Sequence, residues 1–209
     1  MRFLVTAGPT REHIDTVRFI SNASSGRMGY ALASEAAWRG HEVVLISGPV
    51  ELADPCGVEV VRVVSAKEMF DAAVERFAEC HAAIMVAAVA DFRPVARERT
   101  KLSKGEQSLV LTLEPTEDIC GHLGHLKAHR VVVGFALEDH DHHAHAEAKL
   151  RRKGCDAIVL NRVETAGADW AEVEILRADT GWSAPLRGSK REIAAAVITL
   201  TETLVTGRV

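Results

Sequence analysis

The stretch Val5-Thr6-Ala7-Gly8-Pro9-Thr10-Arg11-Glu12, followed by Ile20-Ser21-Asn22-Ala23-Ser24-Ser25-Gly26-Arg27-Met28-Gly29, decides how this chain begins to fold. An apolar strand at residues 3–5 leads into a turn of small residues, and a second such turn opens an alanine-rich helix at about 26–39. Small residues leave amide N–H groups free to face an anion, and the helix start adds partial positive charge. Neither turn has the glycine pattern of a dinucleotide site or a Walker loop. The stretch therefore predicts phosphate binding by another scheme.

Two interpretations of the second turn, residues 24–29, stay open on these grounds. Its serines could cap the helix, and its glycines could permit close packing of helix against strand. Asn22 could be a turn former, or its amide could both donate and accept hydrogen bonds in a site. We expect Arg11 and Arg18 to converge on this turn, and that convergence favours an anion site.

Strand-like and helix-like segments alternate along the rest of the chain. Further strands are predicted at 42–46, 58–64, 82–88, 131–136 and 157–160, and helices at 65–80 with Ser65 as N-cap, 145–153 and 189–205. A hairpin at 173–176 and 182–186 is predicted near the end. Continuous apolar strands between amphipathic helices indicate a parallel sheet covered on both faces. We predict an α/β fold, a Rossmann-like and mostly parallel sheet, with ligands at the carboxyl ends of its strands.

Residues 93–115, called the arm below, interrupt this alternation. The arm has no helical pattern, and a basic loop at 97–105 leads into the alternating residues 109–113, which we predict to be a strand. Its leucines would be exposed in a monomer, a situation that proteins avoid, so the arm predicts an obligate dimer. With no repeats and no long linker, residues 1–209 are expected to form a single domain with a projecting β arm.

Composition and charge limit the class of protein. The 209 residues carry a net charge of −4 without a long basic run, which argues against a nucleic-acid partner. The four cysteines form no C-x-x-C pair, which favours a reducing compartment over a zinc or disulfide framework. Residues 1–8 form a strand rather than a signal peptide, and no apolar run has the ~18 residues of a membrane helix. We expect a soluble cytoplasmic protein with no membrane partner.

The end of the predicted strand 82–88 suits a ligand. Its small residues, Ala87 among them, would let a flat ligand approach the backbone, although tight packing under a helix explains them equally well. Asp91 follows at the tip, where a carboxylate can hold a ribose, a base amine or a metal. We therefore assign Asp91 to the candidate site.

Lysines and histidines later in the chain allow a functional and a plain interpretation. Lys101 and Lys104 lie on the arm, and Lys149 and Lys153 share one helix face at spacing i, i+4. Together they could neutralise a triphosphate, but separately they could serve only solubility. The histidine-rich tract 140–145 suggests a metal. We interpret it as an exposed loop running into a helix.

Several segments, taken together, resemble the bacterial phosphopantothenate–cysteine ligases of coenzyme A biosynthesis. In many bacteria this ligase is the carboxyl-terminal half of a bifunctional protein whose other half is a flavin-dependent decarboxylase. The matching segments follow the order of the family over nearly the whole chain: 5–11, 17–29, 87–93, 101–104, Thr116-Glu117-Asp118-Ile119, Val133-Gly134-Phe135-Ala136 and Ala148-Lys149-Leu150-Arg151-Arg152-Lys153. Because the chain starts at the first strand of the ligase half, we expect a stand-alone ligase.

The resemblance implies a reaction and its participants. The family joins 4′-phosphopantothenate to L-cysteine with a nucleoside triphosphate, usually CTP in bacteria. The carboxylate attacks the α-phosphate to give an acyl-cytidylate and diphosphate, and the cysteine amine then displaces CMP. We expect Mg²⁺ as a cofactor with undetermined ligands, a homodimer whose arm crosses to the neighbouring subunit, and a separate decarboxylase as a further partner.

The resemblance also assigns roles to residues. It implies catalytic roles for Asn22, at conversion of the intermediate to product, and for Arg18 and Lys101. With the residue-based candidates, the predicted nucleotide-binding set is Ser24, Ser25, Gly26, Ala87, Asp91, Lys101, Lys104, Glu117, Asp118, Ile119, Cys120, Phe135, Lys149 and Lys153.

The chain departs from the family at three positions. The family often has lysine where Arg27 and Ser103 stand, and proline or asparagine where Glu117 precedes Asp118. These departures concern the nucleotide contacts more than the reaction. Two alternatives therefore stay open: the same ligation driven by ATP, and a nucleotide-binding module without catalysis.

Overall fold

The computed structural model describes residues 1–105, 108–138, 140–162 and 170–208. Its strands are β1 (Arg2–Ala7), β2 (Arg11–His13), β3 (Phe19–Ser21), β4 (Glu42–Ser47), β5 (Glu59–Arg62), β6 (Ala82–Met85), β7 (Phe92–Pro94), β8 (Leu113–Pro115), β9 (Val131–Glu138), β10 (Ala157–Arg162), β11 (Trp170–Arg177), β12 (Gly181–Trp182) and β13 (Leu186–Ser189). Its helices are α1 (Arg27–Trp38), α2 (Ala66–Phe77), α3 (Ile119–Leu126), α4 (His142–Lys153) and α5 (Lys190–Thr206).

The central sheet has the order β12-β11-β10-β9-β6-β1-β4-β5, and β13 pairs with β11 beside this path. Within this order, six consecutive strands run parallel to one another: β10, β9, β6, β1, β4 and β5. The later strand β11 is antiparallel to β10 and forms the predicted hairpin with β12. The prediction of an α/β, Rossmann-like and mostly parallel sheet is confirmed.

Helices cover both faces of this sheet because consecutive side chains of a strand point to opposite faces. On β1, Phe3 and Val5 belong to a buried cluster with residues of α1 and α5, such as Leu32 and Ile198. The intervening Leu4 belongs to a second cluster on the other face, with Met69 of α2. Strands buried on both faces explain the continuous apolar runs of the sequence.

Two helices start with a reciprocal cap. The Ser65 hydroxyl accepts a hydrogen bond from the Glu68 N–H while the Glu68 carboxylate accepts from the Ser65 N–H, and Ser189 and Glu192 repeat this pattern at α5. Each pair satisfies N–H groups that a helix start leaves without a partner. The predicted N-cap at Ser65 is confirmed, whereas α4 starts at His142, earlier than predicted.

Within the single chain, residues 109–112 form no strand, and pairing of 109–113 across a dimer interface stays a prediction. The strand in this region is β8, Leu113–Pro115, and it pairs with β7 of the same chain. Before it, the Val95 N–H donates to the Thr112 carbonyl over 3.1 Å. Apolar alternation forms a strand only where a neighbouring strand supplies hydrogen-bond partners, and the described part of this chain supplies none to residues 109–111. Residues 106–107 of the arm lie outside the described residues.

A second hairpin, β2–β3, was not predicted. It follows the first small-residue turn and carries both Arg11 and Arg18 close to its ends. No helix among the described residues combines the length and apolarity needed to cross a lipid bilayer.

Candidate active site

A cleft of about 780 Å³ opens beyond the carboxyl ends of β1 and β6, beside β9 and the first turns of α1 and α3. Most of the predicted site residues line it: Asn22, Ser24, Ser25, Gly26, Ala87, Asp91, Glu117, Asp118, Ile119, Cys120, Phe135, Lys149 and Lys153. Residues that are far apart in sequence therefore meet where open parallel sheets bind ligands.

The turn before α1 leaves backbone donors directed at the cleft. Gly26 is the N-cap residue with φ of 73°, a left-handed conformation, and no side chain caps the helix. The Ser24 hydroxyl accepts from the Gly26 N–H over 3.3 Å, before the helix begins. The interpretation of a serine as the helix cap is therefore wrong. The partial positive charge of the helix start at α1 therefore favours an anion in the cleft.

Close packing of α1 against β1 depends on Gly29. A Cβ atom added at Gly29 would lie 2.4 Å from the Cβ of Ala7, a distance that real Cβ atoms do not reach. The interpretation that a glycine permits close packing is thus confirmed for Gly29. This contact brings the start of α1 to the end of β1, where both line the cleft.

Two polar side chains hold the segment after β6. The Asn22 side-chain amide donates to the carbonyl oxygens of Ala88 and Val89, over 3.2 and 3.0 Å. The Thr6 hydroxyl accepts from the N–H groups of Val86 and Ala87, each over 3.2 Å. This wall of the cleft is therefore fixed from both sides, and Asn22 is one of the residues that fix it.

The start of α3 carries a charge pair. The Asp118 carboxylate caps the helix by accepting from the Gly121 N–H over 3.0 Å, and the Lys153 ammonium lies 2.9 Å from it. Burial opposes ionisation, but the hydrogen bonds from Lys153 and Gly121 outweigh it and lower the pKa of Asp118. Asp118 is thus a stable anion that positions Lys153 at the edge of the cleft.

Positive charge predominates in the cleft. Its cationic residues are Arg27, Lys149, Arg152, Lys153 and Lys190, and its carboxylates are Asp91, Glu117 and Asp118. One of these carboxylates, Glu117, pairs with Arg93 over 3.1 Å. Burial, together with the neighbouring charge of Lys153, lowers the pKa of Lys149. An anion in the cleft would relieve this repulsion between lysines, so the cleft favours anionic ligands.

The predicted convergence of Arg11 and Arg18 on the turn before α1 is wrong. The Arg11 guanidinium lies over the Phe19 ring, 4.6 Å from its centroid. Arg18 donates to the Asp15 carboxylate over 2.7 Å and to the carbonyl oxygen of Leu102. Arg11 lies on β2 and Arg18 in the loop between β2 and β3, and neither residue lines the cleft.

The two lysines of the arm also lie outside the cleft lining. Lys101 and Lys104 are exposed, and Lys101 directly precedes Leu102, whose N–H donates to Asp15 over 3.1 Å. The catalytic roles expected of Arg18 and Lys101 stay predictions.

Some lining residues lie outside the predicted set of site residues: Thr6, Met28, Arg152, Asn161 and Lys190. Asn161 lies at the carboxyl end of the parallel strand β10, where the sequence analysis expected ligands to bind. Lys190 starts the final helix, and no local pattern connects that position with the cleft.

The histidine tract brings three possible metal ligands together. One donor atom each from His140, Asp141 and His145 lies within 4.8 Å of the other two. Glu138 lies 3.4 Å from His145. His140 and Asp141 are exposed and lead into α4, as the plain interpretation of the tract predicted.

The fold and the cleft define an α/β domain with a positively charged cleft at the carboxyl edge of a mostly parallel sheet. Comparison with known proteins specifies the family. The family model of the DNA/pantothenate metabolism flavoprotein C-terminal domain matches residues 1–204, and the chain belongs to this family. The resemblance found in the sequence is thereby confirmed.

Curated relatives cover nearly the whole chain. It is 45% identical over 210 residues to a cysteine/cysteine sulfinic acid decarboxylase of an unknown prokaryotic organism, covering 98% of this chain and 58% of that protein. It is 42% identical over 221 residues to the coenzyme A biosynthesis bifunctional protein CoaBC of Mycobacterium bovis, covering 99% of this chain and 53% of that protein. The chain thus spans about half the length of these relatives.

Solved structures show the same fold. The crystal structure of the C-terminal domain of the bifunctional protein CoaBC superposes with a TM-score of 0.84 at 37% identity, covering 99% of this chain and 96% of that one. A Cab2 variant in complex with phosphopantothenate-cysteine superposes with a TM-score of 0.82 at 15% identity, covering 99% of this chain and 88% of that one. The second likeness concerns the fold alone.

Proposed function

We propose that this chain joins 4′-phosphopantothenate to L-cysteine in coenzyme A biosynthesis, with CTP as the nucleotide and an acyl-cytidylate as the intermediate. The observation that carries the proposal is the cleft, where most of the residues expected from the ligase family meet around an excess of positive charge. The name of the CoaBC relatives supports the same assignment.

The first half-reaction requires charge neutralisation and positioning. A carboxylate of 4′-phosphopantothenate attacks the α-phosphorus of CTP, a bond forms between its oxygen and phosphorus, and diphosphate leaves. The substrates and the transition state carry several negative charges, so fixed positive groups near the phosphates lower the barrier. The uncapped start of α1 and the ammonium groups of Lys149 and Lys153 are suited to this task.

The second half-reaction transfers the acyl group to cysteine. The amine attacks the carbonyl carbon of the acyl-cytidylate, an amide bond forms, and CMP leaves with the electron pair. Asn22 lies between the turn before α1 and the segment after β6 and lines the cleft. We assign it the task of holding these two walls at the distance that aligns amine and carbonyl.

The carboxylates of the cleft fit a magnesium ion. Mg²⁺ prefers hard oxygen ligands and is commonly held by one or two carboxylates together with substrate phosphates. Asp118 and Glu117 pair with Lys153 and Arg93, whereas Asp91 is exposed at the tip of the loop after β6. Asp91 is therefore the residue we propose to hold Mg²⁺, which would neutralise phosphate charge when bound.

The arm supports the proposal of a homodimer. Five of its apolar side chains are exposed in the single chain: Val95, Leu109, Val110, Leu111 and Leu113. Val110 is the most exposed of these residues, with 85% of its surface exposed. A neighbouring subunit would cover these side chains and gain the free energy of removing apolar surface from water. Lys101 and Lys104 lie on the same arm, so dimerisation could add them to the neighbouring cleft.

A product assay tests the proposal. The purified chain is incubated with 4′-phosphopantothenate, L-cysteine, Mg²⁺ and either CTP or ATP, and mass spectrometry measures 4′-phosphopantothenoylcysteine. We expect product with CTP. Product with ATP alone would contradict the nucleotide assignment, and binding of CTP in calorimetry without any product would favour a non-catalytic module.

Two further experiments concern decarboxylation. One relative carries the name of a cysteine/cysteine sulfinic acid decarboxylase, so the chain is also incubated with cysteine sulfinate, and released carbon dioxide is measured. We expect none. A separate decarboxylase is proposed as the partner that consumes the ligation product, and added decarboxylase should remove that product.

A further inference from the structure

Cys120 and Cys155 lie side by side although 34 residues separate them along the chain. Their sulfur atoms are 3.5 Å apart, and both thiols are free. Cys120 is the second residue of α3 and lines the cleft, whereas Cys155 follows α4 and has only 4% of its surface exposed. One sulfur is therefore reached through the cleft, and the other stands behind it.

The neighbouring strand leaves room for the two sulfurs to approach each other. A Cβ atom added at Gly134 of β9 would lie 3.3 Å from the sulfur of Cys155 and 3.4 Å from that of Cys120. A disulfide needs an S–S distance of about 2.05 Å, so each sulfur has to move by less than an ångström, which side-chain rotation can supply. Both sulfurs abut a position that has no side chain.

The electrostatics distinguish the two thiols. The hydrogen bond with Cys155 lowers the pKa of Cys120, and the charges of Lys153 and Lys149 act in the same direction against burial. The same hydrogen bond and burial raise the pKa of Cys155. Cys120 is thus the more readily ionised of the two thiols, an arrangement typical of a reactive cysteine beside a resolving one.

We propose that Cys120 and Cys155 form an oxidation site in the wall of the cleft, where a peroxide converts the two thiols to a disulfide. The Cys120 thiolate attacks one oxygen of the peroxide, an S–O bond forms, the O–O bond breaks, and hydroxide leaves. The sulfur of Cys155 then attacks the sulfur of Cys120, the S–S bond forms, the S–O bond breaks, and the departing hydroxide takes the Cys155 proton. With hydrogen peroxide, two thiols lose two electrons and two waters form.

Occupancy of the cleft should protect this site. Cys120 lines the cleft whereas Cys155 is buried, so peroxide that enters the cleft meets Cys120 first. A nucleoside triphosphate held by Lys149 and Lys153 would cover the thiolate and compete for the same positive charge. This second statement rests on the proposed nucleotide binding, whereas the oxidation itself does not.

Peroxide oxidation of the full chain tests the proposal. The Cys56→Ser variant is used because Cys56 is exposed, and its own oxidation would complicate the measurement. After a timed exposure to hydrogen peroxide, free thiols are blocked with N-ethylmaleimide, and mass spectrometry of the intact chain and its peptides locates the modification. Compared with the reduced and blocked chain, we expect two fewer N-ethylmaleimide adducts, a linked Cys120–Cys155 peptide, and reversal by dithiothreitol.

Matched cysteine variants identify the roles. Cys155→Ser should leave a sulfenic acid at Cys120 that dimedone traps, and Cys120→Ser should leave Cys155 unoxidised. Cys80 is the internal control, since burial raises its pKa to about 11. We expect its oxidation rate to be at most about one tenth of that of Cys120. Equal rates at Cys80 and Cys120, or absence of the linked peptide, would overturn the proposal.

Added CTP separates the two statements. We expect saturating CTP to slow oxidation of Cys120 severalfold and to leave Cys80 unchanged. A disulfide that forms at the same rate with CTP leaves the oxidation site standing and contradicts nucleotide contact with Cys120. CTP binding in calorimetry without any disulfide supports the nucleotide cleft and contradicts the oxidation site.

Discussion

The guanidinium group of Arg18 donates two hydrogen bonds to the backbone carbonyl oxygen of Leu102, each 3.1 Å long. The partner of Arg18, Asp15, is fully buried and accepts from the N–H of the same Leu102. Arg18 and Asp15 thus connect the hairpin β2–β3 with the arm, because both hold the backbone of Leu102, the residue next to Lys101. The conformation of the arm therefore depends on a buried carboxylate.

Asp15→Asn should weaken this connection in a pH-dependent way. Hydrogen bonds from the N–H groups of Arg18 and Val17 lower the pKa of Asp15 from 3.8 to about 2. A carboxyl with a lowered pKa stabilises the fold fully above its unfolded value of 3.8, and this stabilisation disappears as the pH falls through about 2. Thermal unfolding of both proteins should show a difference in melting temperature that is constant near neutral pH and shrinks below 3.8.

Asp71→Asn is the matched control for this series, because Asp71 is exposed on α2 and contacts only Lys67 in the described hydrogen bonds. It should change the melting temperature little at any pH. A difference for Asp15→Asn that stays the same at all pH values would contradict the assigned role of the carboxylate.

Lys101→Gln should raise the KM for CTP or lower kcat by about ten- to a hundredfold, since a lost charge-assisted hydrogen bond to phosphate costs about 1.5–3 kcal/mol. Lys67→Gln removes the same charge on α2 and should leave the kinetics unchanged. His142→Ala tests the histidine tract and should also have little effect. Steady-state kinetics in which Lys101→Gln matches these two controls would mean that the arm does not deliver Lys101 to a nucleotide.

Asn22→Asp should slow the second half-reaction more than the first. The variant replaces two amide N–H donors by carboxylate oxygens facing the carbonyls of Ala88 and Val89, and it adds negative charge beside an anionic intermediate. Rapid quench should show diphosphate release retained, with acyl-cytidylate accumulating. If diphosphate release falls as much as amide formation, Asn22 acts before the intermediate forms.

Val110→Asp should convert a dimer to a monomer. Val110 is exposed in the single chain, so the substitution leaves the fold intact and places a charge in the proposed interface. Light scattering should give a dimer for the wild type and for Leu126→Asp, a change at an exposed position on α3. A monomeric wild type with full activity would contradict the proposed interface.

The sequence predicted the sheet well because its signal is local. Apolar runs such as that of β4 are continuous, since a strand between two helix layers is buried on both faces. The short helix α3 was missed because it has eight residues and contains Gly121 and Gly124, which weaken any helical pattern. A strand at 109–113 stays a prediction because apolar alternation does not say whether a neighbouring strand exists, and here that strand would belong to another subunit.

At the site, too, local signals could be read from the sequence, whereas contacts made by tertiary packing could not. Ala87, Asp91 and the turn before α1 follow strands or precede a helix, positions where parallel sheets bind ligands, so local reasoning found them. Thr6 and Lys190 reach the cleft only through tertiary packing. Arg18 contacts Asp15 and Leu102 rather than the cleft. This position could not be predicted, because the hairpin that carries Arg18 has no clear signal in the sequence.

The most direct test of the proposed reaction follows an oxygen atom. The chain is supplied with CTP, L-cysteine and 4′-phosphopantothenate whose carboxylate carries oxygen-18, and mass spectrometry measures the label in the products. Attack of the carboxylate on the α-phosphorus predicts one labelled oxygen in CMP for every amide formed. Label in diphosphate or inorganic phosphate, or the absence of amide product with CTP, would contradict the account.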